Sequence, residues 1–333
     1  MSNTSFGTNV LTNDFDPAIL HGWGVRPSDW NVSVSLQQQI APRVSVDVAY
    51  FRRSYQGFFV ADNLAVQSSD LTPFSIVAPQ DPRLPGGGAY VVSGLFDVIP
   101  EKAGQVSNLV ADAGRYGTWK QYFNGVDVNF NIRDFKRLTL IGGLSTGQTV
   151  ADNCEVRAAL PELATTTTGT SAFGAGLATS AVTPVSPYCH AAYGFLTQSR
   201  GLVTYFIPKI EVQVAATFQS RPGPMLAANY AATNADVAPS LGRNLSGGAA
   251  NVTVNLIESG AMYGDRINQL DLRIARPFSY KRTRTMVSVD LYNALNSSAA
   301  LAYNNTFVPN GPWLQPQTIL TPRFVRLSAE IDF

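Results

Sequence analysis

The sequence is poor in charge, in cysteine and histidine, and in long apolar runs, and each shortage excludes something. Charged residues make up 14% of its 333 positions, against roughly 25% in soluble globular proteins. The formal net charge is +1, with no dense cluster of Lys and Arg, so a nucleic-acid partner is not expected, because phosphate neutralisation needs clustered positive charge. There are two cysteines, Cys154 and Cys189, neither in a CxxC pair, and two histidines, His21 and His190. That is too few for a Cys/His zinc set, and no metal or cofactor is expected. No stretch approaches the 18 or so apolar residues of a membrane helix. The opening MSNTSFGTNVLTND has neither a basic nor an apolar region and does not read as a secretory signal.

What the sequence does have is alternation. Trp30, Val32, Val34, Leu36 and Ile40 alternate with Asn31, Ser33, Ser35, Gln37 and Gln39, the period-two signature of a strand. After Ala41-Pro42-Arg43, Val44, Val46, Val48 and Tyr50 alternate with Ser45, Asp47 and Ala49. The unit returns at Val126 to Ile132 and Leu138 to Leu144, across a turn at Asp134 to Arg137. It returns again at Tyr193 to Phe206 and Ile210 to Phe218, with Ser199 and Gly201 interrupting the apolar phase. Leu270, Leu272 and Ile274 pair with Val287, Val289 and Leu291 across a turn near Ser279 to Arg282. A last strand carries Val325, Leu327, Ala329, Ile331 and Phe333 on one face. Asp47, Asp127, Arg200, Glu211, Asp271, Arg273, Asp290, Arg326 and Glu330 all fall on the polar phase, while Arg52 and Arg276 break the apolar phase near strand ends. Aromatics gather near the ends as well: Trp30, Tyr50, Tyr122, Tyr205, Phe218, Phe278 and Tyr280.

Turns after alternate strands take a few residues, whereas the other connections are long, near 56–120, 149–192, 221–264 and 295–320. Short turns on one rim and long loops on the other is the layout of outer-membrane barrels. Four structureless connections of that size are rare in an ordinary soluble domain. The expected fold is therefore all-β: an antiparallel transmembrane β-barrel section, open and about nine-stranded, with long extracellular loops and short periplasmic turns. It is expected to form a single partial barrel domain over 1–333, with 1–29 belonging to an external loop and 30–333 supplying strands and loops. Gly57 to Asn63 is a weak further strand.

Six stretches, GWGVRPSDWNVSVSLQQQIAPRVSVDVAYFRR (22–53), YFNGVDVNFNIR (122–133), STGQTVADNCEVRAALPEL (145–163), NQLDLRIARPF (268–278), VDLYNALN (289–296) and TPRFVRLSAEIDF (321–333), carry a resemblance. They resemble the C-terminal barrel portion of TonB-dependent outer-membrane receptors, in the Oar-like group that begins with a carboxypeptidase-regulatory-like domain. The resemblance implies a 22-stranded barrel with an N-terminal plug, driven by TonB, in the outer membrane of a Gram-negative bacterium. The plug, TonB box and signal peptide have no counterpart here, so TonB would act only through a region preceding this one. The terminal aromatic with alternating apolar residues before it fits the barrel-assembly signal, which makes the assembly machinery and outer-membrane lipid the expected partners. The expected function is a share in uptake of a scarce solute, with the external loops contributing to capture. The ligand is open: siderophore, glycan, peptide and cobalamin receptors share this architecture. The alternative is a surface-exposed structural or adhesive β-sheet protein. Catalysis is not expected.

Three short motifs bear on chemistry. Gly143-Leu144-Ser145-Thr146-Gly147 matches the G-x-S-x-G nucleophile elbow, and Asp152 and His190 follow in hydrolase order. An elbow needs a sharp turn between a buried strand and a packed helix, and the sequence favours a small-residue strand end. Cys154 and Cys189 bracket the low-complexity stretch Thr165 to Pro184 in one expected external loop. Outside the cell thiols oxidise, so a disulfide is predicted, with two free buried thiols as the alternative. Gly86-Gly87-Gly88 lacks the Lys-Ser/Thr of a phosphate loop and reads as a turn.

Overall fold

The computed structural model describes residues 13–164, 185–280 and 283–332. Thr165 to Pro184, Lys281, Arg282 and Phe333 lie outside the described residues. Nine long strands form one antiparallel sheet in which each strand is hydrogen-bonded to its neighbours in chain order. They are β1 (Ser28–Ala41), β2 (Val44–Gln56), β3 (Lys120–Phe135), β4 (Leu138–Asp152), β5 (Gln198–Ile207), β6 (Val212–Arg221), β7 (Ile267–Tyr280), β8 (Thr283–Tyr292) and β9 (Phe324–Asp332). The fold is all-β, and no helix among the described residues is long and apolar enough to cross a membrane.

Alternation in sequence becomes two faces in space, because successive side chains of a strand point to opposite sides. The register carries one phase across the sheet, with shifts only beside two short turns, at Gln39 to Ala41 and at Ile132 to Phe135. Leu36 pairs with Val48, Val48 with Val128 and Val128 with Leu144. At the other end, Ile274 pairs with Val289, and Val289 with Leu327. These side chains find no core. Every residue of β1 is exposed, and Leu327 is 77% exposed. The short turns are made by residues in the left-handed region: Arg43 (φ 69°), Lys136 (φ 51°), Arg137 (φ 73°) and Glu211 (φ 53°).

The third hairpin departs from the sequence reading. Tyr193 to Phe206 is not one arm, because Gly194 to Thr197 break it. The strand His190–Tyr193 pairs with the far end of β4, and β5 then pairs with the near part of the same strand. Ile210 and Glu211 belong to the turn before β6 and not to the strand, since the positive φ of Glu211 takes the backbone out of the extended region.

The larger correction concerns the long connections, which are not structureless. They share one rim and fold together into a lobe with its own core. Ile76, Leu95, Val237, Val254, Leu256, Ile257, Phe307 and Trp313 are buried together there. The Phe307 and Trp313 rings meet edge to face at 5.0 Å. A helix at Asn234–Leu241 starts at the capping box of Thr233 and Asp236 and stops at Gly242, whose φ is 77°. Residues of 1–29 also take part: Asn13–Phe15 forms a parallel pair with Asn108–Asp112, and the helix Pro17–Leu20 follows it. Phe59–Asn63 is a strand, but it pairs with Asn108–Asp112 and not with the large sheet. These connections escape a periodicity search because their apolar residues come in short, irregular groups that become a core only when segments distant in sequence meet.

Candidate functional site

The polar phase lines a concavity. One cavity of about 390 Å³ is lined by Gln37, Ser45, Asp47, Asn129, Asn131, Arg200 and Thr217, with Ile141 and Leu202 as apolar members of the same phase. Those residues come from β1, β2, β3, β4, β5 and β6, and a single cavity can touch so many strands only on the concave side of a curled sheet. The apolar phase is therefore convex. A second cavity, of about 300 Å³, adjoins the first and adds Asp127, Ser145, Gln198 and Gln219.

The register explains this arrangement. Gln37 pairs with Asp47, Asp47 with Asn129, Asn129 with Gly143, Gly143 with Arg200, Arg200 with Gln219 and Gln219 with Gln269. The result is a row of amides and charges around the wall. Gly143 is required in it, since a Cβ there would fall 2.3 Å from Asn129 Oδ1 and 2.8 Å from the Val128 carbonyl oxygen. Arg200, Asp47 and Asp127 enter no ion pair among the described residues, so their hydrogen-bonding capacity faces the cavities. The other end of the wall is internally paired. Buried Asp290 lies 3.6 Å from Arg273 Nε and 3.3 Å from Arg326 Nη2. Arg326 also covers the Tyr292 ring, which stacks on Phe324 at 4.7 Å. Such a wall can hold water and polar solutes, and Arg200 can take an anionic group.

The hydrolase-like motif does not assemble. Gly143 to Gly147 lies within the straight strand β4, with no turn at Ser145. His190 Nδ1 does lie 3.1 Å from Asp152 Oδ2. Ser145, however, is seven residues from Asp152 along the strand, roughly 23 Å at the usual rise. Among the described residues, no group of three or more His, Cys, Asp and Glu side chains could hold a metal ion. Gly86, Gly87 and Gly88 form a turn with positive φ throughout. His21 ends the short helix Pro17–Leu20.

A disulfide joins Cys154 and Cys189, with their Cα atoms 4.8 Å apart. It ties the start of the helix Cys154–Ala159 to the residue before His190–Tyr193, beside a hydrogen bond from Asn153 N to the Cys189 carbonyl at 3.0 Å. Val325, Leu327, Ala329 and Ile331 lie on the convex phase of β9, opposite Leu291, Val289, Val287 and Thr285.

The lobe holds charged groups that no sequence pattern marks. Asp81 accepts from Arg83 at 2.6 Å, and that contact holds its carboxyl well below the usual carboxylate range. Arg83 also donates to the Gly311 carbonyl at 2.9 Å and covers the Trp313 ring, so it links two connections. Arg243 plays the same part, bonding to Asp97 and to the Val98 carbonyl. Glu162 is buried, and burial pushes its carboxyl up to about 7 with a smaller push from Asp62. The Asp-Pro-Arg spacing of Asp81 to Arg83 is the one signal in the sequence that hints at any of this.

The architecture defines a class: an open, curled antiparallel sheet, apolar outside and polar inside, with a folded lobe on one rim. No known family model matches the chain, and no curated protein matches it. Among solved structures it is similar to the outer membrane transporter YddB from Escherichia coli, at 12% identity and a TM-score of 0.42. The match covers 91% of this chain and 32% of that one, so the chain spans about a third of that transporter's length.

Proposed function

We propose that this chain is a wall section of a TonB-dependent transporter in the outer membrane of a Gram-negative bacterium. In this reading it takes part in uptake of a scarce polar solute and catalyses no reaction. Its lobe faces outward and contributes to ligand capture, and its β9 strand engages the barrel-assembly machinery. The observation that carries the reading is an apolar convex face, interrupted at Ser199 and Gly201 and, near strand ends, by Arg52 and Arg276, over a largely polar concave one. Ten residues separate Trp30 from Ile40, roughly 33 Å along the strand. A tilt of about 40° reduces this to about 25 Å of height, the thickness of the apolar band of outer-membrane barrels. Coupling to TonB rests on the resemblance of the sequence stretches alone.

The test is charge placement. Val128→Arg and Val214→Arg put a cation on the convex face near mid-band, at a cost of about 2–4 kcal/mol in lipid. Asn129→Arg puts the same charge on the concave face. Membrane assembly of the parent transporter, read by heat-modifiable migration on gels, should fail for the first two and persist for the third. Equal tolerance at all three positions would remove lipid from the convex face.

A further inference from the structure

At the lobe-side margin of the band, Arg52 stands on the convex face. Arg52 belongs to the apolar phase of β2, opposite Val32 in β1 and Asn124 in β3. Its Nη1 donates to Asn124 Oδ1 at 2.9 Å, and its guanidinium lies over the Tyr122 ring at 4.9 Å. The Tyr50 hydroxyl donates to the same Asn124 oxygen at 3.1 Å. Trp30, on the same face of β1, is 67% exposed. The contrast with the next residue is informative. Arg53 points to the other face and is neutralised by Asp29 at 2.8 Å. Arg52 pairs with no carboxylate among the described residues.

A guanidinium offers five N–H donors in a planar fork, and Asn124 accepts from one nitrogen. The remaining donors face outward at the level where Trp and Tyr settle between acyl chains and headgroups. There an unpaired cation meets phosphate rather than hydrocarbon, and the fork matches two phosphate oxygens. We propose that Arg52, held by Asn124 and Tyr122, binds the headgroup phosphate of an anionic membrane lipid at the lobe-side rim. This rests on the membrane-spanning reading above.

The experiment uses the full chain in detergent micelles doped with equal amounts of phosphatidylglycerol and phosphatidylcholine, with retained lipids counted by native mass spectrometry. The wild type should retain about fivefold more of the anionic lipid, the discrimination expected of one cation at a charged lipid surface. Arg52→Gln should fall to parity, and Arg53→Gln should keep the enrichment. Val32→Glu leaves Arg52 in place but sets a carboxylate across the ladder from it, and should also fall to parity. That variant decides the matter if Arg52→Gln fails to fold. Enrichment unchanged in the folded Arg52 or Val32 variant, or absent in the wild type, overturns the proposal. Displacement by excess inorganic phosphate would show a free-anion site and overturns it too. Flotation with neutral phosphatidylcholine vesicles separates the two readings. A wild type that fails to float overturns the membrane reading and this one together, whereas one that floats without anionic preference overturns this one alone.

Discussion

Glu162 is where single-residue physics is most exposed. Its folded carboxyl, at about 7, lies above its ordinary value of 4.5 because burial penalises the charge. A group raised on folding holds its proton more tightly in the folded state. Its stabilising contribution is complete below about pH 4.5 and is lost as pH rises through about 7. The lobe should thus weaken across that window by up to about 3 kcal/mol from this group, and Glu162→Gln should flatten the profile. Urea midpoints followed by Trp119 fluorescence would show it, since Trp119 stacks on Phe58 in the cluster of Val156 and Leu160. An identical slope in the variant would mean that Glu162 does not titrate there. Little of this could be read from the sequence: Glu162 sits in the apolar stretch Leu160 to Ala164, but its neighbour Asp62 lies far away along the chain.

At the scale of elements, the disulfide is the simplest lever. Reducing it, or combining Cys154→Ser with Cys189→Ser, frees the helix Cys154–Ala159 from the strand His190–Tyr193. With the cysteines separated by 35 positions in sequence, the chain-entropy cost is about 4 kcal/mol. Amide exchange at Asn153 to Leu160 and at His190 to Tyr193 should rise in the variant while β1 and β2 keep their protection. Uniform loosening of the whole sheet would contradict this. Strands were the legible elements. Val44 to Tyr50 and Val126 to Ile132 announce themselves because each residue is decided by one fact, the face it lies on. Residues such as Ile76, Val237 and Trp313 follow no period, since their neighbours are supplied by other connections. The concave site was half legible. The charges of Asp47, Asp127 and Arg200 could be placed on one phase, but their convergence on shared cavities needed the register and the curl.

For the molecule as a whole, strand parity has a testable outcome. β1 pairs only with β2, and β9 only with β8, among the described residues. Nine antiparallel strands leave β1 and β9 running the same way, so these two cannot close an antiparallel ladder with each other. A cylinder containing them needs an odd number of further strands between β9 and β1. On its own in detergent, the chain should form concentration-dependent oligomers through its open edges, visible by sedimentation velocity. A monodisperse, heat-modifiable monomer with single-channel conductance would instead demonstrate closure.

The lobe's core also has a kinetic meaning. Its members lie at Phe74 to Leu95, at Val185, from Ala228 to Ile257, and at Phe307 and Trp313, so each of the four long connections contributes. Hairpins close quickly because their contacts are local, but contacts this distant in sequence form late. The lobe can consolidate only after the hairpins stand side by side in order. A strand slipped by one residue would turn its side chains to the wrong face and carry its connection out of place. Completion of the lobe then works as a final inspection of the sheet beneath it, and a chain that fails would be left with Ile76, Val254 and Phe307 open to water and to proteases.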